Sequence, residues 1–99
     1  QGMDRFIMQH DAAQVTGIRA LGWLAAQDEL FDAFLASSGA DVAQVRAAAA
    51  DPAFLCAVLD FLSQRDDWVL DCAAALGVAP QEIGLARAVL GGRGGMHWT

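Results

Sequence analysis

The chain has 99 residues and a formal net charge of −6, with six arginines, no lysine and twelve acids, and 56% of its residues are hydrophobic. That is one domain's worth of chain, able to hide roughly two-thirds of its unfolded surface around a single core. Scattered arginines among twice as many acids make no phosphate-binding footprint, which excludes nucleic acid as a partner, and the longest apolar runs are too short to cross a bilayer.

Gln1-Gly2 ahead of Met3 reads as the remnant of a cleaved tag, and no charged-then-apolar leader follows it, so a cytoplasmic protein is expected. Met3 to His10 reads as an N-terminal arm in which Phe6, Ile7 and Met8 cluster without a clear period. Asp11 has N-cap character with Gln14 at the capping-box position, which predicts a first helix from about Ala12 to Gln27. Ala13, Gly17, Ala20, Leu21 and Leu24 form its best face, with Trp23 at the flank and Val15 and Ile18 on the other side. A helix apolar almost all round is expected to be covered, here by the Phe6–Met8 arm or by another chain.

Asp28 restarts the chain, and a second helix over about Glu29 to Ser38 turns Leu30, Phe31, Phe34 and Leu35 to one side. Gly39 ends it as a left-handed C′ residue. Asp41 with Gln44 caps a third, alanine-rich helix to about Ala50. Asp51-Pro52 signals a fourth, running to about Gln64 with Phe54, Leu55, Val58, Leu59, Phe61 and Leu62 as a broad apolar face. Asp66 caps a fifth, with Trp68, Val69, Cys72, Ala75 and Leu76 inward and Leu70 outward, and Gly77 closes it. Pro80 opens a sixth, whose stripe is Ile83, Ala86, Val89 and Leu90. Gly91 to Gly95 should then break the helix and leave residues 91–99 as a flexible tail.

Leu21-Gly22-Trp23-Leu24 recurs as Leu59-Asp60-Phe61-Leu62, 38 positions later (59 − 21 = 38). The register carries on: Phe34 falls on Cys72, Gly39 on Gly77, Val45 on Ile83 and Ala48 on Ala86. No stretch shows sustained two-residue alternation. The fold class expected is therefore all-α: one domain over 11–90, a closed bundle of about six short helices. It would consist of two three-helix units, about 11–50 and 49–88, related by internal duplication. The two Leu-x-aromatic-Leu helices should meet at its centre.

Leu21 to Ala25, followed by Asp51-Pro52-Ala53-Phe54-Leu55-Cys56-Ala57-Val58-Leu59-Asp60-Phe61-Leu62, resembles a family of small helical bacterial proteins of unknown function, mostly alphaproteobacterial. The likeness extends from Gln14 to Leu90. It implies a compact bacterial cytoplasmic domain and carries over no activity, cofactor or site residue.

Little in the chain has the spacing of a reactive site. Cys56 and Cys72 read as reduced, small apolar residues. With His10 and His97 they are the available zinc ligands, and none stand at ligand spacing. A nucleophile built on Cys56 would need His10 or His97 held beside it, and the arm and tail hold neither. The Gly91–Gly95 run follows a helix, so it cannot present a helix N-terminus to a phosphate. Asp67 and Asp71, four apart on one face, are the weak candidates for a hard cation, against the plainer reading of acids suiting a helix dipole. The apolar residues one small core cannot absorb, Val15, Ile18, Trp23, Leu70 and Trp98, point instead to an interface. The function expected is a non-catalytic helical module, not an enzyme and without a cofactor, which binds a protein partner or itself as a dimer. The alternative is a divalent-metal or small-molecule binder using the acidic edge.

Overall fold

A computed structural model of the chain describes residues 9–97, and the side chains of 9–91. Six helices follow one another: α1 (His10–Ala25), α2 (Asp28–Ser38), α3 (Val42–Ala48), α4 (Pro52–Leu62), α5 (Asp66–Leu76) and α6 (Pro80–His97). There is no strand among the described residues. Phe6 to Met8, expected to form an arm, and Trp98 lie outside the described residues.

The helix ends show which local signals were sufficient. Asp41 Oδ1 accepts the Gln44 N–H at 2.8 Å and Gln44 Oε1 accepts the Asp41 N–H at 2.9 Å, a full capping box for α3. Asp51 Oδ1 accepts the Ala53 N–H at 3.0 Å, with Pro52 at the first helical position of α4. Gly39 and Gly77 close α2 and α5 at φ of 77° and 73°, a left-handed conformation that glycine adopts at no steric cost.

Asp11 and Asp66 are not caps, contrary to expectation, and Asp28, expected just before its helix, is the first residue inside it. Each helix begins one residue or more earlier, at Gln9, Gln27 and Arg65, none of which makes a side-chain cap bond. The backbone carbonyls of those residues already accept the first helical N–H, from Ala13, Phe31 and Val69. The three aspartates therefore sit inside the first turn, where a carboxylate favours the positive end of the helix dipole. A larger correction concerns α6, which runs through Gly91 to Gly95 to His97. Glycine permits the left-handed conformation that ends a helix but does not impose it. The tail expected from residue 91 is thus helical as far as His97. On α5, Ala73 is buried and Ala75 exposed, the reverse of the predicted face for that pair.

The core is built where α1 and α4 meet, with α6 laid against both. Gly17 of α1 faces Leu55 of α4 so closely that a Cβ there would lie 3.0 Å from Leu55 Cβ. Leu24, Phe34, Leu55, Val58, Leu59, Leu62, Cys72 and Ile83 are fully enclosed. Phe34 carries α2 onto α4, edge-on to Phe54 and Phe61 at centroid separations of 5.8 and 5.3 Å. Such edge-to-face pairs add to simple burial. α3 is short, buries only Val45 and lies at the margin, as its lack of bulky side chains dictates. Gln14 Nε2 donates to the Ala50 carbonyl and ties α1 to the α3–α4 link.

The 38-residue register is visible in the helix boundaries. α2 and α5 are both 11 residues long and start 38 apart (66 − 28 = 38), as do α3 and α6 (80 − 42 = 38). Buried Gly17, Ala20, Leu21 and Leu24 match buried Leu55, Val58, Leu59 and Leu62 position for position. The third helices differ: α3 has 7 residues and α6 has 18.

Candidate functional site

A groove of about 620 Å³ lies between the starts of α2 and α5, beside the C-terminal part of α1. Glu29, Leu30 and Ala33 of α2 face it, and so do Asp67, Trp68 and Asp71 of α5. These are the same three places in the register, since 29, 30 and 33 plus 38 give 67, 68 and 71. Trp23 and Asp28 complete the wall. The predicted acidic candidates Asp67 and Asp71 thus share one site with Trp23, which was expected on an outer interface. Trp23 is half-buried against the core, and its place beside α2 and α5 follows from its position near the end of α1.

Trp68 is held from inside by Phe61, whose ring stacks on it at 5.1 Å and 21°. The Arg65 guanidinium carbon lies 5.2 Å from the Trp68 centroid, within cation–π range. Arg65 also grips Asp67 through Nε and Nη2 at 3.0 and 3.1 Å. That forked contact holds the Asp67 carboxyl below its ordinary range, with the hydrogen bonds from Arg65 as the main cause. Asp28, Glu29 and Asp71 have no basic partner among the described residues. Trp68, expected simply to face inward, is an addition that sequence reasoning did not select as a site residue, while Asp28 and Glu29 were already legible as acids at a helix start. The 38-residue register marked the two helix starts as equivalent, but only the packing shows that they face one another.

The remaining interface candidates lie elsewhere. Val15 and Ile18 are 54% and 43% exposed on the outer side of α1, so that side is uncovered among the described residues. Leu70 is 54% exposed on α5.

A second cavity, of about 540 Å³, opens where the starts of α1 and α4 meet α6. His10 and Cys56 both line it, along with Asp51 and Gly91. His10 is therefore held in the first turn of α1, not on a loose arm, and its Nε2 is buried with no partner among the described residues. The surroundings of Cys56 nevertheless disfavour its thiolate. Burial pushes the Cys56 thiol up, the Asp60 carboxylate adds to this, and Arg87 offsets only part of it. The thiol donates to the Arg87 carbonyl at 3.7 Å. A nucleophilic cysteine needs its thiolate stabilised, and this environment disfavours it. Cys72 is fully enclosed, its thiol pushed up to about 11 by burial.

Among the described residues no three His, Cys, Asp or Glu side chains are placed to share a metal ion. No single described helix is long and apolar enough to cross a membrane; α5 and α6 reach that composition only as a pair bent by 102°. A family model described as "Protein of unknown function (DUF3572)" matches residues 10–93. No curated protein and no solved structure matches the chain.

Proposed function

The chain belongs to the DUF3572 family, and we propose that it serves as a non-catalytic helical interaction module, binding a second copy of itself or a protein partner through the outer face of α1. The observation that carries this reading is the exposure of Val15 and Ile18, one turn apart on a helix whose opposite face is buried. The stripe continues through Gly22 and Ala25, both exposed, at alternating spacings of three and four that keep side chains in line along a helix. Gly22 is not small for the sake of its own chain, because a Cβ there would meet nothing within 4 Å. A glycine inside a helix costs about 1 kcal/mol against alanine. Close approach of a second helix gives a reason for keeping it. Leu70 is a further candidate on a separate helix.

Light scattering over a range of concentrations tests the proposal. The wild-type chain should associate as concentration rises, and Ile18→Asp should return it to monomer while changing stability by no more than about 0.5 kcal/mol, as befits a surface substitution. A wild type that stays monomeric, together with an Ile18→Asp variant that merely loses stability, would make Ile18 an ordinary packing residue and end the idea.

Cation or small-molecule binding by Asp67 and Asp71 has less support, because Arg65 already occupies both Asp67 oxygens. Calorimetric titration with Mg²⁺, Ca²⁺ and Zn²⁺ separates the two readings: saturable heat lost on Asp71→Asn would favour the second.

A further inference from the structure

The groove between α2 and α5 is a different surface from the outer face of α1, and it has a chemistry of its own. Its walls are aromatic, with Trp23 and Trp68 both half-buried, and its rim carries Asp28, Glu29, Asp67 and Asp71. Among the described residues, the cation against these groups is Arg65. Arg65 is held by two means at once: a tryptophan face at 5.2 Å and a forked carboxylate at 3.0 and 3.1 Å. Arg65 itself does not line the groove, yet Trp68 and Asp67, which hold it, both line one half. In the other half, Trp23 supplies the aromatic surface, while Asp28, Glu29 and Asp71 supply carboxylates with no basic partner among the described residues.

From this juxtaposition we propose that the groove is the docking site for a basic, arginine- or lysine-bearing segment of a protein partner. The cationic side chain would lie against Trp23, flanked by Glu29 from one wall and Asp71 from the other. Charge complementarity selects this occupant. The chain carries a net charge of −6, which steers a basic partner toward it and repels an acidic one. Tryptophan is the best aromatic face for a cation and is the residue type most enriched at the energetic centres of interfaces. A second copy of this acidic chain would bring its own negative charge to the same place.

The test uses the full chain with Trp98→Phe, so that fluorescence reports Trp23 and Trp68. A short synthetic peptide alternating arginine and glycine is titrated in at low salt, with a glutamate–glycine peptide as control. The arginine peptide should give a saturable change and the glutamate peptide none. The double variant Glu29→Gln/Asp71→Asn changes two exposed side chains and leaves the fold intact. It should weaken binding roughly threefold to tenfold, the size expected from losing two exposed ion pairs. Asp11→Asn/Glu82→Gln makes the same change in net charge at residues that do not line the groove and should weaken binding clearly less than the groove pair does. Equal weakening by both double variants would reduce the effect to net charge and overturn the proposal. So would the absence of saturable binding. Tetramethylammonium ion giving the same saturable change at the same concentration would make the occupant a small cation instead of a protein segment.

Discussion

Gly17 and Leu55 hold the same place in the 38-residue register (55 − 17 = 38), and they touch: a Cβ on Gly17 would stand 3.0 Å from Leu55 Cβ. The groove repeats the relationship, since its α2 and α5 walls are also register-equivalent. One member of the central pair is the smallest residue and the other a leucine, so the crossing is filled by one side chain where two would collide.

That crossing predicts opposite outcomes for two glycines of one helix. Gly17→Val should destabilise the protein by about 1–3 kcal/mol, because the added carbons meet Leu55 at its Cβ, which has no rotamer to give. Gly22→Ala should stabilise it by about 0.5–1 kcal/mol, since open space lies beyond Gly22 and only helix propensity changes. Urea denaturation of both variants checks the pair; a neutral Gly17→Val would mean that the two helices do not cross so closely.

The aspartates at helix starts should divide by role. Asp51→Ala removes a bond to the Ala53 N–H, and Asp41→Ala removes a reciprocal pair with Gln44, so each should cost about 1 kcal/mol. Asp11→Ala removes only a carboxylate from the first turn of α1 and should cost no more than about 0.3–1 kcal/mol, less at high salt. Melting curves of the three variants at low and high salt distinguish capping, which is insensitive to salt, from dipole compensation.

Alkaline stability should report the thiols almost alone, because the chain contains no lysine and no tyrosine. Cys72 has its folded pKa raised to about 11 from an ordinary value of 9.0 by burial. A raised folded pKa means stability that is whole below pH 9 and is lost as pH climbs toward 11, since the unfolded chain releases its proton first. Two pK units correspond to about 2–3 kcal/mol. Cys56 is shifted the same way and adds to the decline. Denaturant midpoints measured from pH 8 upward should fall across that window, and the fall should shrink markedly in Cys72→Ala; an unchanged fall would remove Cys72 as its source.

Phe34 should be the most costly aromatic of α2 to truncate. It is 1% exposed and meets Phe54 and Phe61 edge-on, so Phe34→Ala should lose about 3–5 kcal/mol. Phe31→Ala, at a half-buried position, should lose clearly less. Comparable losses would mean that the two sides of α2 are equally packed.

How much of this was legible beforehand depended on the range of the interaction responsible. The helical class, Asp41 with Gln44, Asp51-Pro52, and the left-handed Gly39 and Gly77 are settled within four or five residues of chain. The apolar stripe of α4 was equally plain, because five of its residues are buried at helical spacing. Asp11, Asp28 and Asp66 were misplaced by a residue or more, since a helix start without a side-chain cap leaves no local mark. The glycines of α6 misled for a related reason: glycine weakens a helix by a propensity that is small beside the burial of Ile83, Ala86 and Leu90 just before it. Sequence alone therefore determined the helices and the 38-residue rhythm that spaces them. Only the tertiary structure decided that Trp23, Glu29, Trp68 and Asp71 stand around one groove while Val15 and Ile18 face outward, because distances between helices are set by how side chains such as Leu55 fill the space at Gly17, and no periodicity along a chain encodes that.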